Sequence, residues 1–137
     1  YTTGNNCWLN WSGAADGASG DSFTSGKLQL NGHDRFTQRY ADYFRKVQNY
    51  EHHTRVPRCD TMSAFSGLGY AQYIYTYSFA LSPEEHQPSG TCNFSRIDNA
   101  VLQLNYTGNL DQVLKVFAVN YNVLRIMSGM GGLAYSN

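Results

Sequence analysis

No apolar run in this sequence approaches the ~20 residues that a membrane-spanning helix needs, so no membrane insertion by such a helix is expected from these residues. Charge is also scarce. Only 15% of residues are charged, against ~25% in an ordinary domain, and ten basic residues balance ten acidic ones. Without a basic excess there is no electrostatic footprint for nucleic acid, and no direct contact with it is expected. Zero net charge leaves little self-repulsion, which suits a protein that packs against copies of itself. Cysteine is sparse too. Cys7, Cys59 and Cys92 form an odd set with no CxxC spacing, and free thiols in a reducing compartment are the simplest reading.

What the sequence does have is tyrosine, eleven of them, with Asn, Gln, Ser, Thr and Gly supplying the polarity. Tyr, Thr and Val favour pleated surfaces, and 42% apolar content is enough for one core. The length allows a single ordinary domain, residues 1–137. Residues 12–26, almost all Gly, Ala, Ser, Thr and Asp, read as a surface loop. A short strand "KLQLNG" follows, closed by the turn signal Asn31-Gly32.

The period then changes. Tyr40, Tyr43, Phe44 and Val47 fall at i, i+3, i+4 and i+7, one face of a short helix inside a loop spanning 38–57. Asp42 stands at supportive spacing from Arg45 and Lys46, read as the outer side. An apolar helix face needs cover, so these four residues are a candidate contact between rolls or subunits. Val56-Pro57 stops the helix.

Alternation returns in "GYAQYIYTYSFAL", with Tyr73, Tyr75, Tyr77, Phe79 and Leu81 on one face, read as core-facing. "DNAVLQLNY" alternates with Ala100, Leu102, Leu104 and Tyr106 inward. "VLKVFAVNYNVLRIM" reads as a central strand covered on both faces. Gly129, Gly131 and Gly132 then let the chain turn and lay "LAYSN" beside a sheet. The pattern is an all-β sandwich with one helix in a long loop.

Catalytic signals are weak. His52 and His53 are adjacent, and on an extended chain they point to opposite faces, so one metal site cannot easily use both. His33 and His86 lie elsewhere. Glu84-Glu85 reads as a solvated turn without a partner carboxylate. Ser128 is not in a G-x-S-x-G setting, and the terminal glycines do not fit a phosphate loop. No catalytic, cofactor-binding or metal-ligating residue is assigned, and no cofactor is expected. Three sequons begin at Asn10, Asn93 and Asn105, acceptors only in a secretory route, against which the cysteines argue. A carbohydrate-binding β-sandwich is the alternative function, resting on Trp8, Trp11 and the tyrosine strand as stacking surfaces.

Four stretches carry a resemblance: "LQLNGHDRF", "YFRKVQNYEHHTRVP", "YSFALSPEEHQPSGTCNFSRIDNAVLQL" and "NYNVLRIMSGMGGLAYSN". Together, and in this order, they resemble the C-terminal jelly roll of the major capsid protein of nucleocytoplasmic large DNA viruses, of the phycodnavirus and iridovirus type. The positions that carry it are Asn31, Gly32, Asp34, Arg35 and Phe36, then His53 and Pro57. Phe79, Pro88, Gly90, Asn93, Ser95 and Arg96 follow, and last Asn120, Tyr121, Asn122, Gly129 and Gly132. Residues 1–27 match loosely. The resemblance implies two jelly rolls per subunit, and homotrimers with a pseudo-hexameric outline. It further implies an icosahedral virion shell assembled in the host cytoplasm, with neighbouring capsomers and minor capsid proteins as partners. Since a whole first roll and the opening strands of the second have no counterpart here, the chain reads as a C-terminal fragment. On this reading Pro88, Ser89 and Gly90 launch a strand, and Arg96 and Asp98 share a strand face.

Overall fold

The computed structural model describes residues 21–55, 74–106 and 114–135. Most of the 12–26 loop, Cys7, Cys59, Pro57, Tyr73, Trp8, Trp11 and the Asn10 sequon lie outside the described residues.

The central strand is β1, Ser25–Leu30, two residues longer than the Lys27 start expected for it. Its register with β4, Ala100–Asn105, runs unbroken and antiparallel from Ser25↔Asn105 to Leu30↔Ala100. The short strands β2, His33–Asp34, and β3, Arg39–Tyr40, also pair with β1, at its C-terminal and N-terminal ends respectively. A separate two-stranded sheet joins β5, Leu124–Met127, to β6, Met130–Leu133.

Two-residue hairpins set both registers. Asn31 and Gly32 stand at φ 51° and 80°, and Ser128 and Gly129 at 50° and 79°, the left-handed pair that twisted hairpins favour. Asparagine suits position 31 because its Oδ1 accepts from the backbone N–H of Asp98 and Asn99, at 2.9 and 3.2 Å. That contact seats the start of β4 against the turn. Of the three late glycines only Gly129 lies at positive φ, while Gly131 and Gly132 are ordinary β6 residues with open space where a Cβ would sit. Gly129→Ala is therefore expected to cost ~1 kcal/mol, and Gly131→Ala much less. Denaturant midpoints of the two variants at natural length check this; equal losses would remove the turn argument.

The buried apolar residues are Phe23, Ala41 and Phe44, with Phe36, Tyr43, Tyr75, Tyr77 and Leu104 packed against them. A chain of ring contacts runs through this core. Phe23 meets Tyr75 at 4.6 Å, Phe36 meets Phe44 at 5.6 Å and Tyr77 at 4.9 Å, and Phe79 meets Phe94 at 5.4 Å. Such pairs add ~0.5–1.5 kcal/mol each beyond the area they bury. Phe23, Ser25 and Gly26 are buried although they fall within the stretch read as loop.

Several expectations need correction. Ile74–Ala80 forms no ladder strand. Thr76 instead donates its N–H to the Phe44 carbonyl at 3.1 Å. Tyr75 and Tyr77 do turn inward, but Leu81 is exposed. Of the face Ala100, Leu102, Leu104 and Tyr106, only Leu104 reaches the core, because no described element covers the rest. The long strand expected before the glycines is a ladder strand only at Leu124–Met127, and Phe117 and Val119 upstream are 83% and 100% exposed. Arg96 ends a 3-10 turn, Phe94–Arg96, so it does not share a strand face with Asp98. That turn is also the first regular element after Pro88-Ser89-Gly90, where a strand was expected.

Candidate assembly surface

The helical segment covers residues 41–52. It begins one residue after Tyr40, which belongs to β3. Its first part is a π-helical turn, Tyr43–Val47, in which Gln48 N–H donates to the Tyr43 carbonyl, and α1, Gln48–His52, follows. The wider turn changes which side chains share a face. Phe44 points into the core and Tyr43 is half-buried, whereas Tyr40 is 79% and Val47 40% exposed. The four-residue stripe read from helical spacing is therefore split, with Phe44 a core residue rather than a contact residue. Tyr50, which the stripe did not include, is also 79% exposed.

The inner side is polar as well as aromatic. Arg45, read as outward-facing, is buried, with Nε 2.9 Å from Asp21 Oδ1 and Nη2 3.0 Å from Asp21 Oδ2. Its Nη2 also bonds Asp42 Oδ1. Burial opposes the guanidinium charge, but the hydrogen bond and charge of Asp21, joined by Asp42, outweigh it and raise the pKa. Tyr75 donates its hydroxyl to Asp21 at 2.9 Å. Burial, with the neighbouring Asp21 carboxylate, pushes that phenol up to about 12. A charge this far out of water persists only when paired and fully bonded, and the bidentate carboxylate meets that need.

Two buried amides complete the seam. Gln48 donates to the Tyr43 hydroxyl at 2.7 Å and accepts from Ser78 N–H at 3.2 Å. Asn49 donates to the Arg45 carbonyl and accepts from the Thr76 hydroxyl, both at 2.7 Å. The helix thus holds residues 76–78 through side chains instead of a strand ladder.

The end of α1 is fastened as well. His52 Nδ1 lies 3.0 Å from the Leu81 carbonyl and His53 Nδ1 2.9 Å from Glu84 Oε1. Glu84 also accepts from the Thr54 hydroxyl and N–H. Bonds from Thr54, then from His53, hold its carboxyl below the ordinary carboxylate range. The two histidines serve different partners, and Glu84, read as solvated, is engaged. Asp34 likewise pairs with Gln29 at 2.5 Å and Lys27 at 3.4 Å, and those bonds, Gln29 first, lower its pKa. Arg35 bonds the Tyr77 side chain, one of the influences on that phenol.

Asn93 caps the 3-10 turn by accepting from Ser95 N–H at 3.1 Å. Asn122 Oδ1 accepts from Tyr135 N–H at 3.1 Å, tying the C-terminal hairpin, while Tyr121 donates to the Glu85 carbonyl. Cys92 is a free, half-buried thiol. An open cleft of about 290 Å³ lies beside α1, lined by Arg35, Tyr43, His52 and Tyr77 among others. Its Gln48 and His52 polar atoms are spent on the contacts above, and no carboxylate lines it. The arrangement thus presents structural bonds and exposed aromatic side chains rather than a converging catalytic set.

The pairs Arg45–Asp21 and Thr54–Glu84 were not legible as partners in the sequence. They join residues 24 and 30 apart, and only the short-range Asp42–Arg45 spacing pointed at either.

The sequence pattern of the family described as "Large eukaryotic DNA virus major capsid protein" matches residues 1–132. The major capsid protein of Pyramimonas orientalis virus is 56% identical over 136 residues, covering 92% of this chain and 34% of that protein. Among solved structures, VP54 of PBCV-1, fitted into a reconstruction of the virophage Sputnik, aligns with a TM-score of 0.62 and 41% identity. It covers 88% of this chain and 33% of that one. A quasi-atomic model of the PBCV-1 virus capsid aligns over the same shares at a TM-score of 0.57. The chain spans about a third of the length of these relatives. The likeness bears out the all-β, partial jelly-roll reading with one short helix in a loop.

Proposed function

Because the chain belongs to the large eukaryotic DNA virus major capsid protein family, we propose that it forms the C-terminal jelly-roll domain, residues 1–137, of a structural capsid subunit. The subunit trimerises into pseudo-hexameric capsomers that tile an icosahedral virion shell assembled in the host cytoplasm. Its partners are its own copies, neighbouring capsomers and minor capsid proteins, with no enzymatic role, no cofactor and no direct contact with nucleic acid.

The observation that carries this reading is the 41% identity over 88% of the chain to a protein placed within a virus capsid. Two physical features agree with it. Net charge is zero, so copies approach without mutual repulsion. The described polar groups are also engaged in packing bonds rather than gathered around a cleft. The carbohydrate-binding alternative loses its basis at Tyr75 and Tyr77, whose rings pack on the core and are not free to stack on sugars.

The test is expression at natural length, with mass measured by light scattering and particles viewed by electron microscopy. A homotrimer that adds to ordered arrays is the expected outcome. A species that stays monomeric across the micromolar range would overturn it.

A further inference from the structure

We propose that the outward tyrosines of the helix region, Tyr40 and Tyr50 with Val47 between them, meet a second copy of this protein in the capsomer. The inference rests on the capsid-subunit reading and names a partner for the surface that the structure redraws.

Tyr40 and Tyr50 are each 79% exposed and Val47 is 40% exposed, on a segment whose other side is fixed by Phe44, Arg45, Gln48 and Asn49. The backbone beneath them is held at both ends, by the Ala41 N–H on the Thr24 carbonyl at 3.1 Å and by the His52 and His53 contacts. A rigid platform gives up little entropy when its exposed rings are covered.

Composition separates this surface from the other exposed apolar one. Residues 114–127 present Val116, Phe117, Val119, Leu124 and Ile126, aliphatic and aromatic groups without hydroxyls that resemble an uncovered core. The helix surface presents two tyrosine hydroxyls amid Arg39, Asp42, Lys46 and Glu51. Tyrosine is enriched where separately folded partners meet, since its ring buries area and its hydroxyl tolerates water at the rim.

The charges around it carry both signs. Arg39 lies over the Tyr43 ring at 5.3 Å, and Lys46 pairs with Asp42 at 3.5 Å. An identical copy therefore meets neither a purely acidic nor a purely basic field, and complementarity between copies needs no second kind of protein. The related PBCV-1 capsid is a setting in which subunits of this family lie side by side.

The experiment uses the natural-length protein with Tyr40→Ser and Tyr50→Ser, singly and together. Analytical ultracentrifugation reads self-association and thermal melting reads the fold. The expected result is a melting temperature close to that of the parent under monomeric conditions, with association weakened roughly tenfold for each change and more for the pair. Parental association in the double variant would overturn the proposal. So would a lowered melting temperature with association intact, which would show the tyrosines covered by the same polypeptide. A parent protein that never associates would instead defeat the capsid-subunit reading beneath the proposal, and the proposal with it.

Discussion

Purified by itself, the 137-residue chain is expected to bind a hydrophobic dye strongly and to melt without a cooperative transition. Among the described residues only Phe23, Ala41 and Phe44 are buried apolar side chains. Phe117, Val119, Leu124, Ile126, Met130 and Leu133 all stand more than half exposed. Each large apolar side chain left in water forgoes ~1.5–3 kcal/mol. Four of them match the ~5–15 kcal/mol by which a whole domain is stable. The β5–β6 pair is also two-stranded, and an isolated hairpin is marginal at best. Differential scanning calorimetry with a dye titration checks this. A sharp two-state endotherm from a monomeric sample, with no dye signal, would contradict it.

In the natural-length protein, Phe44→Ala is expected to be the most damaging single change in the described region, at ~3–5 kcal/mol. Phe44 contacts Phe23, Phe36 and Tyr43 through its ring, at centroid distances of 6.2, 5.6 and 5.3 Å. Its carbonyl takes the Thr76 N–H at the π-helical turn. Removing the ring leaves a void at the meeting point of the helix, the segment before β1 and residues 75–77. The native turn geometry, fixed by Arg45, Gln48 and Asn49, restricts collapse into that void. Tyr40→Ser serves as the exposed comparison, expected within about 0.5 kcal/mol of the parent fold. Chemical denaturation of both variants decides the matter. Similar losses would mean that the helix is oriented differently from the structure described, and that the stripe inferred from simple helical spacing was the better guide.

That contrast marks how far the sequence reaches. Local chemistry was legible in it. Asn31-Gly32 announces a two-residue turn because few residue pairs accept two successive positive φ values, and the structure forms that turn. Alternation placed Tyr75 and Tyr77 inward because a strand's side chains alternate whether or not a ladder forms beside it. The quoted stretches carried the family, and with it the jelly roll.

Tertiary structure decided what these elements face. The π-helical turn rotates Phe44 in and leaves Val47 out, and a regular 3.6-residue period cannot anticipate it. Arg45 is buried because Asp21, far away in sequence, supplies a bidentate partner. Without that carboxylate, Arg45 would be an ordinary outer-face arginine, as its spacing from Asp42 suggests. Glu84 is engaged for the same reason, since Thr54 and His53 reach it only once the chain has folded back. Sequence patterns report the period of a segment; the partner across the gap, which determines burial and charge, is fixed by the fold alone.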